Sequence, residues 1–349
     1  MMKKMLFIAS LPNKAHYFDG ERNKSRDVLN ALFLTNKYKI KTIDYTKNKY
    51  LQTIKMLLLL LFIKIDCIFI SKCLVGGSTA VHIIKTFFGR RYKNKIYFYL
   101  IGNGAIGHDG KKIYKEDMSF CKHIIYESPQ VIKDLDIKTD SSVFACIKPN
   151  FNIGLKTKKY KKGNSLNLIF FSRIHPDKGL DDAINAVLSV NNILGKNALY
   201  LDIAGGVSNK KETIDYSKRI IEICNKHDCL NYLELSLRIE GESSYFKLQK
   251  YDLHLFPSKF AQECAPGSVI DMFIAGVPTL SSNFPSSRFI MNDENSFFFE
   301  QGNVNDLVAQ LLFIYNNPNI LESKRELSYL ERLKYNYDEF LNHLNTIGL

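Results

Sequence analysis

Short apolar runs alternate along this chain with longer stretches of helical periodicity. Met5 to Leu11 is an apolar run interrupted only by Ser10 and predicts a strand buried on both faces. A polar loop with Asp19-Gly20-Glu21-Arg22 follows, and Ser25 to Leu34 reads as a helix. Cys67 to Ser71 and Ile96 to Ile101 are further buried-strand candidates, with shorter ones at Ile124 to Glu127 and Val143 to Ile147. Helical stretches separate them, which predicts an open parallel α/β sheet. Lys148 to Ser165 is basic and turn-rich, the best linker candidate. The pattern then restarts, with strands at Leu168 to Phe171, Leu199 to Ile203, Leu233 to Ile239 and from Leu253. Helices are expected at Leu180 to Leu194, Ile214 to Lys226 and Ser323 to Leu349. The expected architecture is two Rossmann-like α/β/α domains, residues 1–155 and 156–325, facing across a cleft. A helix within 326–349 is expected to pack back across the junction. Ligands of such sheets bind outside the carboxyl ends of the strands.

One apolar run stands apart. Met56 to Ile63 is bracketed by Lys55, Lys64 and Asp66, and is far shorter than the about 20 residues of a spanning helix. It reads as a buried core helix; the other reading is a basic amphipathic face resting on a membrane. Charge bears on that choice. The 349 residues carry a net +13, all of it from the N-terminal end. Residues 1–100 hold 19 Lys and Arg against 5 Asp and Glu; the remainder hold 29 against 30. Such asymmetry suits an anionic partner: membrane headgroups, a lipid-phosphate carrier or nucleic acid. Zinc-finger spacing, RNA-recognition signatures and an obvious helix-turn-helix are all missing, so an anionic membrane surface is preferred to nucleic acid. A solvated basic face is the plainer alternative.

Seven cysteines at scattered spacings, with no signal peptide before the first strand, point to a reduced, cytosolic compartment. The expected location is cytoplasmic, peripheral on the inner face of the cell membrane. Cys224, His227 and Cys229 lack a second ligand pair and read as packing rather than zinc.

The densest chemistry lies between Glu263 and Ser282. Glu263 sits in a loop, Pro266-Gly267-Ser268 opens a short helix, and Asp271 falls on its first turn. Gly276 ends that helix, and Val277-Pro278 leads to a strand. A helix N-terminus offers free N–H groups to phosphate, and carboxylates accept hydrogen bonds from sugar hydroxyls. Ser268 and Asp271 also read as a capping box, which needs no ligand. A second cluster is Arg173-Ile174-His175-Pro176-Asp177-Lys178-Gly179. Arg173 leaves a buried strand and Lys178-Gly179 precedes a helix. A planar Arg fork and a Lys point charge suit a diphosphate. Cations near a helix start are otherwise unfavourable, which favours a ligand role.

These two motifs resemble the signature of the retaining, nucleotide-sugar-dependent glycosyltransferases of family 4, which have the GT-B fold. That family has two glutamates separated by seven residues, then a helix ending Gly-x-Pro. Here seven residues separate Glu263 from Asp271, whose side chain is one methylene shorter. Some bacterial polysaccharide transferases look similar, with an aspartate at this place. The resemblance implies that Arg173 and Lys178 neutralise the leaving nucleoside diphosphate, with no metal or other cofactor. It implies that Glu263 contacts the donor sugar's hydroxyls, Asp271 the nucleotide ribose, and the Pro266-Gly267-Ser268 backbone a phosphate. Gly20 falls where the family has a glycine-rich loop against the diphosphate. His108, with Asn103 as a weaker candidate, falls where the family has a histidine near the reacting sugar.

The implied activity is sugar transfer from a nucleoside diphosphate donor to a lipid-linked glycan acceptor in bacterial capsule, O-antigen or exopolysaccharide synthesis. One rival is a GT-B sugar-nucleotide epimerase, which needs further acid/base carboxylates. Another is a non-catalytic sugar-nucleotide-binding or scaffolding protein at the membrane. The G-x-G-x-x-G match at Gly102, Gly104 and Gly107 lacks the following helix and acid of a dinucleotide site. Asp134-Leu135-Asp136 reads as a solvated turn rather than a metal-binding D-x-D. No G-x-S-x-G, H-E-x-x-H or P-loop lysine occurs.

Overall fold

A computed structural model describes residues 2–12, 20–102, 113–234, 239, 241–260 and 263–349. The chain forms two compact units. One is Met1–Asn150 with Gln262–Ala265 and Tyr335–Leu349; the other is Phe151–Ala261 with Pro266–Lys334.

The N-terminal unit contains β1 (Lys3–Ala9), α1 (Gly20–Leu34), β2 (Tyr38–Asp44), α2 (Lys49–Phe62), β3 (Cys67–Lys72), α3 (Leu74–Tyr92), β4 (Ile96–Leu100), β5 (His123–Tyr126), α4 (Pro129–Leu135) and β6 (Ser141–Val143). The six strands among its described residues are parallel in the order β2-β1-β3-β4-β5-β6. The two-residue period of a strand sorts its apolar side chains onto two faces. Leu6 and Ile8 of β1 join one core with Ile68, Ile70 and Phe98. Met5, Phe7 and Ala9 join the other with Phe69, Tyr97 and Tyr99. A strand that feeds two cores reads as an apolar run, as Met5 to Ala9 of β1 does.

The C-terminal unit contains β7 (Leu166–Phe171), α5 (Leu180–Leu194), β8 (Leu199–Ala204), α6 (Lys211–Cys224), β9 (Leu230–Glu234), α7 (Glu242–Leu248), β10 (Leu253–Phe256), α8 (Gly267–Ala275), β11 (Thr279–Ser282), α9 (Ser287–Ile290), β12 (Ser296–Phe299), α10 (Val304–Asn316) and α11 (Ile320–Glu331). The parallel order is β12-β11-β10-β7-β8-β9. Leu168 and Phe170 share a core with α5 and α10 residues, and Ile169 faces Tyr245, Met272 and Ile274. In each unit the chain leaves its first strand to build on both sides of it. That makes β1/β3 and β7/β10 the topological switch points, where ligands of such sheets bind.

Several expectations need correction. α1 begins at Gly20, not Ser25. The strand expected at Val143 to Ile147 is Ser141–Val143, because Ala145, Cys146 and Ile147 are buried by packing rather than by laddering. The long final helix is two, α11 and α12 (Tyr337–Thr346), separated by a 3₁₀ turn at Arg332–Tyr335. The apolar run Met56 to Ile63 lies in α2 but is not a buried core helix, since only Met56 and Leu60 of α2 are buried. No helix among the described residues is long and apolar enough to cross a membrane.

Candidate functional site

At the switch point of the C-terminal unit, Ser172 and Arg173 leave β7 and Pro257 to Phe260 leave β10. The backbones here approach closely. Gly179 has φ +71°, and a Cβ on it would lie 1.9 Å from the Pro257 carbonyl oxygen. A Cβ on Gly205, just past β8, would lie 1.6 Å from the Ser172 carbonyl oxygen. Only glycine fits either place. A 3₁₀ turn, Pro176–Lys178, then carries the chain into α5, and His175 Nδ1 accepts from the Asp177 N–H at 3.2 Å.

Lys178 is buried, 6% exposed, at the end of that turn. Its Nζ lies 4.6 Å from the centre of the Phe260 ring, and the Arg173 guanidinium lies 5.8 Å from the same ring. One aromatic ring thus serves two cations, each attracted by the ring quadrupole. The loop bearing Phe260 is fastened on several sides. The Lys259 N–H donates to the Asp177 carbonyl at 2.7 Å, and Lys259 Nζ pairs with Asp182 at 2.7 Å. The Ser258 carbonyl accepts from Ser282 Oγ at 2.7 Å and Gln301 Nε2 at 2.9 Å. The structure therefore brings Arg173 and Lys178 together. Phe260, which joins them, was missed because an isolated Phe in a loop has no periodicity.

Pro266, Gly267 and Ser268 lie at the start of α8. Pro266 occupies the N-cap and makes no side-chain cap hydrogen bond. The capping box expected from Ser268 and Asp271 is not formed: Ser268 is inside the helix, and Asp271 is in its second turn rather than its first. Asp271 is instead buried, and its Oδ1 accepts from the Tyr245 hydroxyl at 2.8 Å. Tyr245 on α7 carried no sequence signal for this role.

The N-terminal unit has its own polar groups at the carboxyl ends of its strands. At the β1/β3 switch point, Lys72 Nζ donates to Ser10 Oγ at 2.6 Å and lies 3.4 Å from Glu21 Oε1. Gly20 begins α1 beside Glu21, and a Cβ there would meet nothing within 4 Å. Glu127, immediately after β5, is fully buried and forms an ion pair with Lys24. Its carboxylate also accepts from the Gly102 N–H at 2.8 Å and the Tyr99 hydroxyl at 3.3 Å. Burial pushes the Glu127 carboxyl above its ordinary range, against the pull of Lys24. Burial also opposes the Lys24 charge, but Glu127 together with the nearby Cys146 and Cys264 thiols turns the balance and raises the ammonium's pKa. The Gly102 N–H and the Tyr99 hydroxyl, like Lys24, favour the carboxylate form of Glu127 against its burial.

Lys24 Nζ also donates to the Ala265 carbonyl at 2.8 Å. Glu263, just before, is half-buried, and Cys264 packs in the N-terminal unit's core. His108 lies outside the described residues, as do Asn103, Gly104 and Gly107. Asp134 lies in the last turn of α4, and Asp136 is a left-handed cap with an exposed side chain paired to Lys138. Cys224 and Cys229 are buried in the C-terminal unit's core.

Solved structures share this fold over nearly the whole chain. The Anabaena protein HepE, in complex with UDP and glucose, matches with a TM-score of 0.67 and 11% identity, covering 100% of each chain. Sucrose-phosphate synthase from Thermosynechococcus elongatus matches with a TM-score of 0.76 and 10% identity, covering 99% of this chain and 98% of that one. The lipopolysaccharide outer core galactosyltransferase WaaB in its apo form gives 0.69 and 12%, covering 99% of each. At these identities the likeness is one of fold, GT-B. No curated sequence is significantly similar to the chain. The profile of the family Glycosyl transferases group 1 matches residues 154–333, which span β7 to α11 and include Arg173, Lys178, Phe260, Glu263 and Asp271. That match covers more than half of the sequence, and the chain belongs to the glycosyl transferases group 1 family.

Proposed function

We propose that the protein is a retaining glycosyltransferase that moves a sugar from a nucleoside diphosphate donor to a lipid-linked glycan acceptor in bacterial surface polysaccharide synthesis. The observation that carries this reading is the pair of cations, Arg173 and Lys178, gathered on Phe260 at the β7/β10 switch point. A UDP complex of the similarly folded HepE supports a nucleotide-sugar donor. The likeness to WaaB supports a glycan acceptor.

In the proposed reaction the donor's anomeric C–O bond breaks and negative charge develops on the departing diphosphate. Arg173 and Lys178 stabilise that charge in a partly desolvated place, where fixed cations act more strongly than in water. The α8 N-terminus, capped by Pro266, adds the backbone N–H groups of Gly267 and Ser268 for a phosphate oxygen. The acceptor hydroxyl attacks from the face that the diphosphate leaves, and its proton passes to a diphosphate oxygen. Glu263 is the group proposed to accept from donor sugar hydroxyls. Asp271 is proposed for the ribose, Gly20 for a phosphate contact and His108 for the reacting sugar. With two side-chain cations on the diphosphate, no metal is required.

Donor hydrolysis and transfer by Arg173→Ala and Lys178→Ala test the reading. Each substitution is expected to lower turnover by roughly 10²–10³-fold, the size typical of removing one charge-stabilising group. Unchanged turnover in both variants would overturn it. Turnover in EDTA is expected to match turnover without it; loss of activity that Mg²⁺ or Mn²⁺ restores would remove the metal-free part.

A further inference from the structure

α2 turns its apolar side outward. Its buried residues are Met56 and Leu60, on one side of the helix. At about 100° per residue, Tyr50, Leu51, Ile54, Leu58, Leu61 and Phe62 fall within an arc of about 120° on the opposite side. All six are exposed, from 50% for Leu58 to 76% for Phe62. Helices of soluble proteins ordinarily carry charge on that side, and a contiguous exposed apolar patch marks an interaction site.

The cations around the patch identify the occupant. Lys47, Lys49, Lys55 and Lys64 flank it in sequence and are exposed, and residues 47–64 contain no acid. Arg91 donates to the Leu60, Leu61 and Ile63 carbonyls at 3.0, 3.2 and 3.3 Å, which fastens the end of α3 to the end of α2. That end of α3 brings exposed Phe87, Arg90, Arg91, Lys93 and Lys95, with no acid in residues 85–95. Nine cations and no acid thus lie in the two segments. A second copy of this face would bring like charges together at a two-fold contact. A bilayer with anionic headgroups satisfies both halves, since apolar side chains enter the acyl boundary while lysines stay among phosphates. At 14 residues α2 is about 21 Å long, too short to span but suited to lie in the interface plane.

We propose that the outward face of α2, with Phe87 and the basic end of α3, docks the protein on an anionic lipid surface. This deepens the lipid-linked part of the function proposed above and rests on it for its purpose, while its test needs no sugar donor. The test is sedimentation with vesicles of phosphatidylcholine alone and of phosphatidylcholine with phosphatidylglycerol. Binding to the anionic vesicles is expected to exceed binding to the neutral ones at least tenfold, and to weaken with salt. Ile54→Glu/Leu58→Glu, at exposed positions, is expected to lose at least tenfold in vesicle binding while keeping the wild-type affinity for UDP. Lys49→Gln/Lys55→Gln/Lys64→Gln is expected to keep the fold and flatten the salt dependence. The proposal falls if the wild type ignores anionic vesicles, or if both variants bind them as it does. It also falls if the Ile54→Glu/Leu58→Glu change abolishes self-association instead. Vesicle binding by a wild type that binds no nucleoside diphosphate would keep this inference and sink the sugar-transfer reading.

Discussion

Two buried carboxylates show how much a single residue's meaning depends on its partners. Asp271 is held by the Tyr245 hydroxyl. Tyr245→Phe removes one hydrogen bond to a buried charge and is expected to lower stability by about 1.5–3 kcal/mol in urea unfolding. Asp271→Asn keeps an acceptor for Tyr245, so it separates support from recognition. A ribose ligand would make this variant bind UDP more weakly at nearly unchanged stability. Glu127 is the sharper case. Lys24→Met leaves its carboxylate buried with Gly102 and Tyr99 as its donors among the described residues, and is expected to cost about 3–5 kcal/mol. Lys24→Met/Glu127→Gln removes the unpaired charge and is expected to recover most of that loss. Equal losses in the single and double variants, measured by urea unfolding, would show that the ion pair is not what matters there. Neither pairing was legible in the sequence, where Lys24 and Glu127 lie 103 positions apart and Tyr245 falls in a stretch that carries no reading of its own.

At the scale of elements, glycine does different work in places that look alike. Gly179 and Gly195 bracket α5 with φ of +71° and +65°. A Cβ at Gly195 would meet nothing within 4 Å, so Gly195→Ala is expected to cost only the about 1–2 kcal/mol of a left-handed backbone. Gly179→Ala adds a clash with the Pro257 backbone. It is expected to cost clearly more in thermal or urea unfolding and to weaken UDP binding by shifting Lys178. The strands and helices around it were legible because each has one dominant period: Leu180–Leu194 shows in its own pattern and in Gly179 before it. β2 gave no such signal. It is an edge strand with Lys39 and Lys41 exposed between less exposed Tyr38, Ile40 and Thr42. Lysines on an edge are a common guard against unwanted pairing, and they hide a strand from a search for apolar runs. The exposure of α2 was equally hidden, because an apolar run has the same spelling whether its far side meets a core or a lipid.

Across the whole molecule, parallel α/β architecture was the most legible property, since strands buried on both faces leave long apolar runs. Arg173 and Lys178 could be placed at strand ends from those runs, whereas their shared contact with Phe260 depends on a loop conformation that no run specifies. Beneath that site, within the C-terminal unit's sheet, lies a group that makes stability depend on pH. His254 in β10 is fully buried, with Nδ1 3.1 Å from Thr279 Oγ1. Burial pushes its pKa down to about 3, only partly offset by a backbone hydrogen bond at Phe171. An unfolded chain returns the imidazole to its ordinary value near 6.5. Between these values the unfolded state binds a proton that the folded state refuses. The stabilisation is therefore complete above about pH 6.5 and declines as pH falls towards 3, by about 1.4 kcal/mol per pH unit. The raised Glu127 acts with the opposite sign in the other unit, because there the folded state holds the proton more tightly. A comparison that changes His254 alone separates the two. His254→Gln keeps a polar group beside Thr279 and does not titrate. Urea unfolding of wild type and His254→Gln at pH 7, 6 and 5 is expected to give a wild-type stability that drops with acid and a variant whose decline is flatter by that slope. Parallel declines would show that the acid sensitivity of this sheet has another source.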